Sequence, residues 1–153
     1  MNVNYINPFI ETTADICDKV VNMTAKLGKP YLKREIQVQD SVVVSVGVTG
    51  EMRGSVYLIL SIEDALHIAG SMMHMSKLKV LDDLAKSAIK ELMNMIIGNT
   101  ATIFASRGIG INITPPSLFM GTGMEISPVG SVILCAPIIL DVTYKLEMAV
   151  TLE

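Results

Sequence analysis

The chain has no cluster of lysine and arginine. Its 153 residues carry 12 basic and 15 acidic side chains, for a formal net charge of −3. Affinity for a phosphate backbone needs concentrated positive charge, so no nucleic-acid partner is expected. No apolar run approaches the roughly 18 residues that a membrane span requires, so no membrane span is expected either. The opening, Met1-Asn2-Val3-Asn4-Tyr5, lacks the basic region and apolar run of a secretory signal. Cysteine is scarce: Cys17 and Cys135 stand far apart in apolar surroundings. With no signal, they read as buried, reduced thiols in a cytoplasmic protein. Motifs for common chemistries are missing too. There is no Gly-x-Ser-x-Gly elbow, no Walker-type phosphate loop and no clustered set of metal-binding carboxylates. His67 and His74 lie on one side of a helix without an evident third ligand, and read as ordinary surface or packed histidines.

What is present suits one compact domain, residues 1–153. Half the residues are hydrophobic and 18% are charged, which supports a real core and argues against disorder. Asn7-Pro8 predicts the start of a first helix that runs to Leu27, with Gly28 and Pro30 ending it. Lys33–Val38 reads as a loose strand. Ser41–Val48 and Arg53–Leu60 read as a hairpin about the turn Thr49-Gly50-Glu51-Met52. Ser61 is a hydroxyl cap for a second helix, Ile62 to about Met73, with acidic residues in its first turn. The Met72-Met73-His74-Met75 cluster reads as core filling at that helix's end. Ser76–Lys79 links to a third helix, about Leu81 to Ser106. Ile111–Thr114 is a short strand, followed by Pro115-Pro116, an extended segment. Val129–Leu140 and Val142–Leu152 read as a final hairpin, in which Pro137 points to an edge or a bulge. The order implies an α+β fold, a largely antiparallel sheet packed against long helices. Gly54-Ser55-Val56 and Gly130-Ser131-Val132 each lie in a hairpin preceded by a long helix. This faint echo suggests two weakly related halves.

The third helix holds the candidate chemistry. At about 100° per residue, Ser87, Glu91, Asn94 and Gly98 fall on one narrow stripe, which continues into Ala101 and Ala105. Ala85, Ile89, Leu92, Met93, Ile96 and Ile103 form a wide apolar face opposite. By spacing alone the stripe reads first as a solvated face. Its carboxylate and carboxamide are nonetheless helix-surface neighbours, three residues apart. An Asn amide is a poor base, but it presents one acceptor and two donors on a rigid plane. It can hold a water in line with a phosphorus atom, and phosphoryl transfer needs mainly positioning and charge neutralisation. Glu91 would pair with a cation on whatever docks. No lysine or arginine is counted into this site, so a partner must supply the electrophile and any metal.

These residues resemble a known family. Glu91-Leu92-Met93-Asn94-Met95, with Ser87 four residues before Glu91, is similar to the Ser/Asp-x-x-x-Glu-x-x-Asn signature of the CheC/CheX/FliY phosphatases of bacterial chemotaxis. The signature's later proline is matched by Pro115 and Pro116. The first helix, the Val48-Thr49-Gly50…Gly54-Ser55-Val56 hairpin and Ile113-Thr114-Pro115-Pro116 resemble the CheX branch. The likeness runs from about Asn4 to the C-terminus. It implies a hydrolase that removes the aspartyl phosphate from a phosphorylated CheY-like response regulator. Asn94 would orient the attacking water and Glu91 would engage a lysine of the regulator. The resemblance implies no cofactor of the chain's own, since Mg²⁺ sits in the regulator's acidic pocket. The first helix lacks Glu-x-x-Asn, which implies one site per chain, and CheX members imply a homodimer. Residue size adds a landing surface at Gly98 and Ala101, with Ser87 at its start. The alternative is a non-enzymatic module that binds and sequesters a receiver domain.

Overall fold

A computed structural model describes residues 3–76 and 78–152. The first two residues of the Met1–Tyr5 start, and part of the Ser76–Lys79 link, lie outside the described residues. The elements are α1 (Val3–Ile16), a π-helical turn (Cys17–Val21), β1 (Ala25–Leu27), β2 (Tyr31–Lys33), β3 (Ile36–Val38), β4 (Ser41–Gly50) and β5 (Gly54–Ser61). They continue with α2 (Ile62–Met72), α3 (Asp83–Ser106), β6 (Ile111–Ile113), β7 (Ser117–Gly121), β8 (Met124–Ile126), β9 (Ile133–Leu140) and β10 (Tyr144–Leu152).

The fold is α+β, as the sequence implies. Alternation along the strands sets its layers. In β4, Val42, Val44, Val46 and Val48 point to one face of the sheet. There they join Val56, Leu58 and Leu60 of β5, Leu146, Met148 and Val150 of β10, and the buried faces of the three helices. Val43, Ile133, Cys135 and Ala149 point to the other face, where Ile36 and Val38 of β3 cover them. The main sheet is antiparallel, in the order β1-β9-β10-β5-β4-β6; β2 also pairs with β9 and β7 with β4. The order of a long helix followed by a hairpin occurs twice, with β10 and β5 adjoining at the centre. The residues of the sequence echo do not match in structure, however. Gly54–Val56 opens β5, whereas Gly130–Val132 precedes β9, and Gly130 has φ +72°.

Five expectations are corrected. The first helix does not begin at Pro8, which lies inside α1. At that position proline removes one backbone hydrogen bond and its ring crowds the carbonyl four residues earlier. Nor does that helix reach Leu27: Asn22 ends it in a left-handed conformation, φ 59°, which asparagine tolerates. Ala25–Leu27 is instead a strand on β9. The Lys33–Val38 strand is split, because Tyr31–Lys33 pairs with β9 while Ile36–Val38 pairs with β8 in a separate two-stranded sheet. The final hairpin is shorter than expected: β9 begins at Ile133, and Val142 lies in the turn at φ 63°. Pro137 is not on an edge. It lies in β9, between β10 and the broken β1–β2 edge, where that edge is interrupted at Gly28. Gly28 donates its N–H to the Pro137 carbonyl at 2.8 Å. A Cβ on Gly28 would lie 2.8 Å from Pro137 Cγ, so only glycine allows that approach.

Candidate active-site groove

α3 starts where the sequence places it. Asp82 caps it, accepting the Ala85 N–H at 2.9 Å. One face is fully buried: Ala85, Ile89, Leu92, Met93, Ile96, Ile97, Thr100 and Phe104. Thr100 satisfies its hydroxyl by donating to the Ile96 carbonyl at 2.8 Å. Phe104 packs on Phe9 of α1, with ring centroids 5.6 Å apart. Ile103, expected in this face, is half-buried. With one face locked into the core, the opposite stripe must face outward. Ser87, Glu91 and Asn94 are all exposed there. Among the described residues, the side chains of Glu91 and Asn94 have no hydrogen-bond or ion-pair partner.

The other wall of the site is held in place by β4. β7 pairs with its first half, Ser41–Ser45, and β6 with its end, Val48–Gly50. Thr114-Pro115-Pro116 therefore bridges the gap opposite Val46 and Gly47. Neither proline can donate to the ladder. Thr114 secures the bridge: its N–H donates to the Gly47 carbonyl at 3.0 Å, and its Oγ1 accepts the Gly47 N–H at 2.8 Å. A Cβ on Gly47 would lie 3.2 Å from Thr114 Cγ2, so the glycine permits this close contact. The result is an open groove of about 560 Å³, lined by Ser87, Lys90, Glu91 and Asn94 on one side and Ile113, Thr114, Pro115 and Pro116 on the other.

The groove gathers three of the five site residues expected from sequence. Gly98 and Ala101 lie further along α3, outside its lining. Gly98 faces open space, with no atom within 4 Å of a Cβ built on it. Lys90 corrects the reading that counted no lysine into the site. Its signal was present in the sequence: at about 100° per residue it lies about 40° from Asn94, on the side away from Glu91. The wall of prolines was visible as a motif, but its position opposite α3 depends on strand pairing.

Other titratable groups lie elsewhere. Burial pushes the Cys17 thiol up to about 12 and the Cys135 thiol up to about 11, so both stay protonated near neutrality. Both are free and buried. His67 stacks on Tyr144, with centroids 4.6 Å apart, which makes it a packed histidine. Among the described residues there is no group of three or more His, Cys, Asp or Glu side chains placed to hold a metal ion. No helix of the described residues is long and apolar enough to cross a membrane.

Residues 42–138, well over half the chain, match the family model described as Chemotaxis phosphatase CheX. The chain belongs to this family. It is similar to the CheY-P phosphatase CheX of Thermotoga maritima, with 35% identity over 138 residues that cover 90% of this chain and 88% of the relative. Among solved structures it resembles the CheX–CheY–BeF3–Mg²⁺ complex of Borrelia burgdorferi, with 28% identity, a TM-score of 0.86 and 99% coverage of both chains. A CheC-like superfamily protein from Shewanella shares the fold at a TM-score of 0.89, with 23% identity over 100% of this chain and 99% of that one.

Proposed function

We propose that this chain hydrolyses the aspartyl phosphate of a phosphorylated CheY-type response regulator, with Asn94 positioning the attacking water and Glu91 engaging the regulator. One observation carries the reading. In a member of the CheX family, Glu91 and Asn94 stand exposed in one groove, with no side-chain partner among the described residues. Support for the partner comes from the relatives: one is named a CheY-P phosphatase and another is a complex with CheY.

The chemistry follows from the side chains. The regulator docks so that its acyl phosphate enters the groove. Glu91 pairs with a cationic side chain of the regulator and fixes the approach. The Asn94 amide accepts a hydrogen bond from a water and holds an oxygen lone pair in line with the phosphorus. Water attacks, the bond between phosphorus and the carboxyl oxygen breaks, and the products are free aspartate and inorganic phosphate. An acyl phosphate is already labile, so positioning accounts for the acceleration without a base on this chain. Mg²⁺ belongs to the substrate, held in the regulator's acidic pocket, where it neutralises phosphoryl charge. The reading includes a cytoplasmic location and a homodimer. The exposed edge at β2, where Leu32 is 61% accessible, suits sheet joining.

The test is decay of phosphorylated regulator with and without the chain. Wild type accelerates decay and turns over many regulators per chain; a sequestering module would consume at most one. Asn94→Ala lowers the accelerated rate by about 10²-fold, the usual cost of losing one positioning group. Its melting temperature is unchanged, because Asn94 is exposed. Full activity in that variant would refute the assigned role.

A further inference from the structure

Lys90 is the cation in the groove, and the helix gives it nothing to do. Its neighbours at three and four residues are Ser87, Met93, Lys86 and Asn94, none of them acidic. Lys86 at four residues is repulsive, so the position is not explained by helix stability. Glu91 is adjacent in sequence, and adjacent helical residues do not face each other. Among the described residues Lys90 has no ion pair or hydrogen bond from its ammonium, whereas Lys19 pairs with Asp15 at 3.0 Å and Lys145 lies 3.9 Å from Glu147. Lys90 is half-buried and lines the groove beside Asn94. A half-buried stem limits the motion of a long side chain while its charged head stays hydrated.

We infer that Lys90 is a docking residue for the phosphorylated regulator, pairing with a carboxylate at the rim of the regulator's metal-holding acidic pocket. The inference rests on the reading of the groove given above. About the helix axis Asn94 lies between the two charges, roughly 40° from Lys90 and 60° from Glu91. An aspartyl-phosphate site that holds Mg²⁺ must offer oxygen ligands, so its rim is anionic. A single Glu–Lys contact leaves the regulator free to pivot about one point. A positive and a negative contact on either side of Asn94 fix the rotation at which the amide enters. Charge pairs at a rim act mainly on capture and register. Lys90 is thus a positioning residue: it sets how often the regulator docks productively, and Asn94 then acts on the water.

The experiment uses the full chain and a CheY-type regulator phosphorylated with a small-molecule phosphodonor, with KM and kcat measured separately. Lys90→Gln raises KM by about fivefold, as expected for one solvent-screened charge pair, and leaves kcat unchanged. Lys90→Glu raises it further, Lys90→Arg restores it, and the rise of KM with added salt is shallower for Lys90→Gln than for wild type. Wild-type acceleration with an unchanged KM in Lys90→Gln overturns the inference alone. So does a loss confined to kcat, or failure of arginine to rescue. No acceleration by wild type overturns the function proposed for the groove, and the inference with it.

Discussion

Reversing the charge at Glu91 separates docking from chemistry. Glu91 is exposed on a helix whose other face is locked in the core. Substitution there removes charge without disturbing packing. Two unit charges about 4 Å apart attract by about 1 kcal/mol in water, and by about 4 kcal/mol in a partly enclosed interface. Desolvation of both groups offsets part of the larger figure, leaving about 1–2 kcal/mol for the contact in the docked complex. Glu91→Gln therefore raises KM for the phosphorylated regulator by about 5- to 30-fold. Glu91→Lys replaces the attraction with a repulsion of similar size, and so raises KM by roughly the square of that factor. In both variants kcat falls far less than KM rises, because Asn94 still holds the water. Added salt weakens wild type towards Glu91→Gln and partly rescues Glu91→Lys. The assay is initial rate of regulator dephosphorylation against regulator concentration, at two ionic strengths. Equal KM values for the Gln and Lys variants would refute the charge-pair argument. A fall in kcat alone would move Glu91 from docking into the chemical step.

Four further outcomes follow from the structure. Gly98→Ala, with open space at its Cβ, raises stability by about 0.5–1 kcal/mol through helix propensity; Ala101→Leu impairs regulator dephosphorylation with little change in melting temperature, and normal activity there would remove the landing surface from the account. Gly54→Ala destabilises sharply, since its Cβ would lie 1.8 Å from the Thr151 carbonyl oxygen; the backbone must move, at a cost of about 1–3 kcal/mol or more, read by urea unfolding. Cys17 and Cys135 resist alkylation of the folded protein from pH 7 to 9, because burial raises both thiols and the reactive thiolate forms only above that range; rapid labelling at pH 8 would contradict the buried environment.

Features carried by local pattern were legible in the sequence. The β4–β5 hairpin, the Ser61 cap of α2 and the span of α3 each rest on residues a few positions apart, and each stands within a residue or two of expectation. What failed depended on distant partners. Asn22 ends the first helix early because Ala25–Leu27 has a strand to join, β9, more than a hundred residues later. Pro137 reads as an edge residue until the break at Gly28 on the neighbouring edge is known. The same division runs through the site. The stripe of Ser87, Glu91 and Asn94 is a local pattern, whereas the groove exists only because β6 and β7 both pair with β4.

That pairing also bears on why the groove stands where it does. β4 is continuous from Ser41 to Gly50, but the strands beside it are two short pieces with Thr114-Pro115-Pro116 between them. A single long strand there would complete the edge ladder. The prolines prevent this, and Thr114 with Gly47 secures the interruption through two hydrogen bonds. The break therefore serves as a wall: it faces α3 where Lys90, Glu91 and Asn94 emerge. α1 and the π-helical turn after it have exposed carboxylates as well, at Glu11, Asp15 and Asp18, but Ala14, Asp18 and Val21 follow them three residues on, with no asparagine. Asp15 is already paired with Lys19. The two helices thus differ in what they leave free. The first helix has no carboxylate followed by an asparagine three residues later, and α3 has that pair, a cation beside it and a proline wall opposite. The asymmetry between the halves confines the proposed chemistry to one helix, although the order of helix and hairpin occurs twice.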